Sequence, residues 1–104
     1  MILMINEKDK EALLILQEEC AEVTQAVSKI FRFGVDARWP EDSPQDNKAH
    51  LEEELGDLLA MVDILVESCF ISDSNLNQAR EAKKDKLKLW SKIYDTGTIN
   101  KTVE

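Results

Sequence analysis

A chain of 104 residues fits one domain, and a domain of that size buries only a modest share of its surface. Its net charge of −8 excludes the basic footprint that non-specific nucleic-acid binding needs and argues equally against docking on an anionic membrane. Hydrophobic residues at 43% beside charged residues at 33% give a globular balance, and three glycines with two prolines are too few turn-formers for a many-stranded sheet, so long helices are expected.

The opening "MILMI" is too short for a secretory signal core and runs straight into the charged "NEKDKE". A first helix is predicted from about Asn6 to about Phe31. Asn6 is its cap, and Glu7 and Asp9 occupy the first turn, where acids suit the helix dipole. Leu13, Leu16, Cys20, Val23, Val27 and Ile30 recur at spacings of three and four, which marks a core seam, and Gly34 can end the helix. The following "VDARWPEDSPQD" is a connection broken by Pro40 and Pro44; its length is of the kind that often carries function. Trp39 within it is expected to pack, either in the fold or over a ligand.

A second helix is predicted from Asn47 to Phe70, capped by Asp46 or Asn47. Leu51, Leu55, Leu58, Leu59, Val62, Leu65 and Val66 form its apolar stripe. Gly56 in mid-helix costs roughly 1 kcal/mol relative to Ala, which points to close helix packing or a site that needs space. Asp63 and Glu67 interrupt the apolar run far short of a membrane span. A third helix is expected from "SDSN", capped by Ser72 or Ser74, to about Tyr94. Leu76, Ala79, Leu87, Trp90 and Ile93 mark its core face, and Lys83 and Lys86 fall in the same seam. Residues 96–104 have no periodic pattern and are expected to fray, leaving a helical domain over 1–95. Cys20 and Cys69, inside apolar patterns, read as reduced core thiols and suggest a cytoplasmic setting. The fold class expected is all-α: a bundle of three main helices, completed as a four-helix-type core by dimerisation.

Two groups of acids lie beside the apolar stripes. Glu19 and Glu22 are one turn apart on the first helix, with Glu18 next to them, and Glu54 and Asp57 repeat the spacing on the second. Glu19 and Glu54 are placed at the edges of their stripes. Such acids are usually solvated surface. If the helices pack side by side, however, four carboxylates face one another and repel, and a hard cation removes that penalty. Oxygen-only ligation suits Mg²⁺, with Mn²⁺ as substitute, and Mg²⁺ typically shares its sphere with phosphates. A di-iron centre is disfavoured, because His50 is the single histidine and no Glu-x-x-His occurs. His50, one turn before Glu54, either orients a carboxylate or phosphate or faces solvent. Lys29 and Arg32 on the first helix, and Lys83 and Lys86 on the third, either reach a polyphosphate or extend to water. No Gly-rich phosphate loop is present in the sequence.

"EECAE" (Glu18 to Glu22) followed by "ELGD" (Glu54 to Asp57) fits E-E-x-x-E and E-x-x-D on consecutive helices. In this the chain resembles the MazG-like all-α nucleoside triphosphate pyrophosphohydrolases, over roughly Leu13 to Trp90, and is most similar to short single-domain members of phage and bacterial type. The resemblance implies Mg²⁺-dependent splitting of nucleoside triphosphates, often deoxy forms, into monophosphate and pyrophosphate. It implies Glu19, Glu22, Glu54 and Asp57 as metal ligands and Glu18 as a further ligand, a support or the base that activates water. It also implies a homodimer or a dimer of dimers, and basic phosphate contacts around Lys83 and Lys86, with Asn47 and Lys48 as weaker candidates. The competing class is a non-enzymatic dimeric helical adaptor with a disabled metal site. Enzymes restricted to dUTP or phosphoribosyl-ATP fit the chain less well.

Overall fold

The computed structural model describes residues 4–95, which form three α-helices and no strand. The predicted frayed tail, 96–104, lies outside the described residues. The helices are α1 (Glu7–Phe33), α2 (Asn47–Glu67) and α3 (Asp73–Trp90). The chain divides into two compact units, one ending at Phe70 and the other beginning at Ile71.

The first unit is a hairpin in which α1 and α2 pack against each other. Local chemistry sets its ends. The Asn6 side chain accepts the Asp9 N–H at 2.7 Å and caps α1. Gly34 closes that helix with φ 105, a backbone region open mainly to glycine, and its N–H donates to the Ile30 carbonyl. Asp46 caps α2 by accepting the Ala49 N–H at 2.8 Å. Asn47, at the first position of α2, is 2% exposed. Its Nδ2 donates to the Gly34 carbonyl at 2.9 Å and approaches the Lys29 carbonyl at 3.5 Å, while its backbone N–H donates to the Ala37 carbonyl. These bonds tie the end of α1 to the start of α2 and make the two helices antiparallel.

Three helix ends and the faces of α1 and α3 differ from expectation, and α1 runs to Phe33 rather than about Phe31. α2 ends at Glu67 rather than Phe70, because Cys69 turns left-handed (φ 65). The Cys69 N–H then donates to the Val66 carbonyl and the Phe70 N–H to the Leu65 carbonyl, the paired bonds of a Schellman stop. α3, capped by Ser72 through the Asn75 N–H, ends at Trp90 rather than Tyr94. The buried row of α1 is also rotated from the predicted seam. Leu13, Leu16, Val23 and Ile30 of that seam are half-buried, but the enclosed residues of the helix are Asp9, Ala12 and Ala26, while Cys20 and Val27 are exposed. Both cysteines are therefore exposed free thiols and not core residues.

Trp39 packs back on the end of α1, stacked on Phe33 with ring centroids 4.3 Å apart. A Cβ added at Gly56 would meet nothing within 4 Å among the described residues, so close packing among them does not account for that glycine. In the second unit, α3 has no buried residue. Leu76 and Leu87 are half-buried, whereas Ala79, Trp90 and Ile93, expected in a core, are exposed. None of the helices among the described residues is long and apolar enough to cross a membrane.

Candidate functional site

Ala12, Glu19 and Ala26 are spaced by seven residues, which brings them within about 20° of one line on a helix. Glu19 is therefore not at the edge of the buried row of α1 but in it, bracketed by the two enclosed alanines. The same spacing links Asn47, Glu54 and Met61 on α2, and Glu54 is likewise half-buried. The hairpin thus sets a half-buried glutamate from each helix at its own packing interface.

The consequence is a tight acid cluster. Glu19, Glu54 and Asp57 each offer a carboxylate oxygen, and these oxygens lie within 4.8 Å of one another. The Glu19 carboxyl is pushed above its ordinary value of 4.5, first by loss of surrounding water and then by the charges of Asp57, Glu54, Glu22 and Glu18 in that order. Glu22 and Glu18 are thus close enough to be felt, but both are exposed and stand outside the three-residue cluster. The donor set is wholly hard oxygen, spaced so that one small divalent cation could touch all three acids, and such a cation would relieve the charge that raises Glu19.

Glu54 has a second partner. His50 Nε2 lies 3.0 Å from Glu54 Oε2, so the histidine is turned to the carboxylate and not to solvent. Beyond the acids, Lys29 and Arg32 line a groove of about 250 Å³ on α1 together with Thr24, Gln25 and Ser28. The Arg32 guanidinium also sits 5.1 Å from the Phe33 ring centre. Its lining residues carry hydroxyls, an amide and two cations, although most of the surface they turn to the groove is apolar. Sequence reasoning named its two cations but missed Thr24, Gln25 and Ser28. Their signal is the recurrence of polar residues every fourth position, Thr24–Ser28–Arg32 and Gln25–Lys29. In the second unit, Lys83 and Lys86 are exposed. The ion pairs described on α3 are Lys84–Glu81 and Lys88–Asp85, and neither of the two candidate lysines belongs to them.

A family model described as MazG nucleotide pyrophosphohydrolase domain matches residues 7–88, most of the chain and all of both acid motifs. The chain belongs to the MazG nucleotide pyrophosphohydrolase family. No curated protein and no solved structure matches it. Membership agrees with the all-helical architecture and places the chain among hydrolases that act on nucleotides, a family whose members are generally dependent on a divalent metal. The matched span begins at the first residue of α1 and reaches the last turn of α3.

Proposed function

We propose that this MazG-family chain is a Mg²⁺-dependent nucleoside triphosphate pyrophosphohydrolase, converting (d)NTP to (d)NMP and pyrophosphate. The observation that carries the reading is the convergence of Glu19, Glu54 and Asp57 on one 4.8 Å cluster in a chain of this family. Glu19, Glu54 and Asp57, joined by Glu22 from the next turn of α1, would hold the cation. When bound, Mg²⁺ neutralises phosphate charge and makes a water more acidic, with Mn²⁺ as the expected substitute.

The chain's own side chains then have distinct tasks. Glu18, exposed beside the cluster, accepts the proton of the attacking water; Glu19 is the other carboxylate placed to do so. The water oxygen forms a bond to the α-phosphorus as the bond to the α–β bridging oxygen breaks, and pyrophosphate leaves with that electron pair. Arg32 offers a fork and Lys29 a point charge to polyphosphate oxygens from their shared groove. Lys83 and Lys86 are proposed for the same task on family resemblance alone.

A homodimer or dimer of dimers is the proposed assembly, supported by large apolar side chains left open on the hairpin, among them Phe31 (85% exposed), Leu55 and Leu59. The matched span runs across both compact units, which supports reading 1–95 as one functional domain. A cytoplasmic setting, where free thiols stay reduced, belongs to the same proposal. The test is turnover: Glu19→Gln and Asp57→Asn should each abolish Mg²⁺-dependent pyrophosphate release. Unchanged turnover in both variants would remove the cluster from the mechanism.

A further inference from the structure

The hydrogen bond between His50 and Glu54 has a consequence for how the acid cluster is assembled. On a helix the two residues are one turn apart, and both side chains are largely enclosed, 23% and 13% exposed. The ring needs only an N–H at Nε2 to donate to Oε2, and the neutral imidazole supplies one. Glu54 at the same time presents an oxygen within 4.8 Å of those of Glu19 and Asp57. One carboxylate is thus held between a donor on its own helix and two like charges across and along the interface.

Without that donor the balance is unfavourable. Three carboxylates this close repel, and a glutamate has enough rotatable bonds to swing its charge out to water. The His50 bond opposes the swing and leaves Glu54 in the conformation that faces Glu19 and Asp57. We infer that His50 is a positioning residue for the cation site, keeping the Glu54 carboxylate preorganised in the cluster before any cation arrives. The inference rests on the metal reading above. If the pair did no more than staple one turn of α2, its loss would lower helix stability and leave metal affinity unchanged; a positioning role predicts the opposite. Hydrogen-bond partners of ligating groups typically change metal affinity by about 10–100-fold.

The experiment titrates the full chain with Mn²⁺ alone, following free Mn²⁺ by electron paramagnetic resonance, with the metal-free thermal midpoint measured in parallel. His50→Phe keeps a ring but loses the donor, and His50→Gln restores an N–H at similar reach. His50→Phe should weaken Mn²⁺ binding by about 10–100-fold and His50→Gln should recover most of the loss, with similar metal-free midpoints for the two variants. Wild-type affinity in His50→Phe, or a Gln variant as weak as the Phe variant, would overturn the positioning role while leaving the metal reading standing. If the wild-type chain itself binds no Mn²⁺, the metal reading falls and this inference falls with it. That result is distinct from any produced by the His50 variants.

Discussion

Asn47 offers the sharpest check on how the hairpin is held. Its side chain is almost fully enclosed, and its single well-formed side-chain bond runs from Nδ2 to the Gly34 carbonyl at 2.9 Å; the 3.5 Å approach to the Lys29 carbonyl adds little. Replacing Asn47 by Ala removes that bond and leaves the carbonyl without its partner. Because Gly34 itself is solvent-exposed, water can recover part of the loss, so the cost falls at about 1–2 kcal/mol, in the lower part of the usual range. For a chain of this size that corresponds to a fall of roughly 5–15 °C in the thermal midpoint, read by far-UV circular dichroism. Asn47→Asp keeps the shape but turns an acceptor towards acceptors. It should cost more than Ala at neutral pH, despite the favourable position of an acid at a helix start. Its carboxyl is disfavoured in the charged form by burial, so the folded-state pKa lies above the unfolded one. The lost stability should return as pH falls and the protonated oxygen becomes a donor again. A midpoint for Asn47→Ala within about 1 °C of wild type, or an Asp variant as stable as wild type at neutral pH, would refute the donor role.

Glu19→Gln should raise the midpoint of the metal-free chain and abolish the rise that Mg²⁺ gives to wild type, both read in the same melts. The sign follows from the raised Glu19 carboxyl. Its favourable contribution is full below the ordinary value of 4.5 and is lost as pH climbs through the higher folded-state value, so the stability gap between variant and wild type should widen with pH across that window. Gly56→Ala should stabilise the chain by about 0.5–1 kcal/mol by helix propensity, since a Cβ there meets nothing among the described residues; a lowered midpoint would show that another surface occupies the space. Lys29→Ala and Arg32→Ala should each lower kcat/KM for a triphosphate by about 10–100-fold, the scale of a lost charge-assisted hydrogen bond, and steady-state kinetics would show whether the loss sits in KM.

Much of this was legible from spacing. Asn6 was legible as a cap outright, whereas Asp46 stood beside Asn47 as an alternative and Ser72 beside Ser74; the structure has Asn6, Asp46 and Ser72 as the caps. The acid motifs told which carboxylates to watch, and three of the four meet. The buried row of α1 was not legible in the same way. Hydrophobicity weights Cys20 and Val27 above Ala12 and Ala26, yet the alanines are enclosed and the other two exposed, and Glu19 lies on the line between the alanines. The end of α2 was missed because a cysteine in a left-handed turn leaves no sequence mark of the kind a glycine leaves. Trp39 gave notice that it would pack, but its partner, Phe33, follows from the path of the connection. α3 shows the opposite case. Its periodic apolar residues are real, but its helix buries none of them fully, so periodicity alone overstated its core.

The most direct test is the product pattern of the purified wild-type chain. A panel of ribo- and deoxynucleoside triphosphates is incubated with Mg²⁺ in oxygen-labelled water and the products are separated. Nucleoside monophosphate and pyrophosphate in equal amounts, with the label in the monophosphate and no turnover when Mg²⁺ is chelated, is the expected result. Release of diphosphate and orthophosphate, turnover that persists without a divalent cation, or no turnover across the whole panel would contradict it.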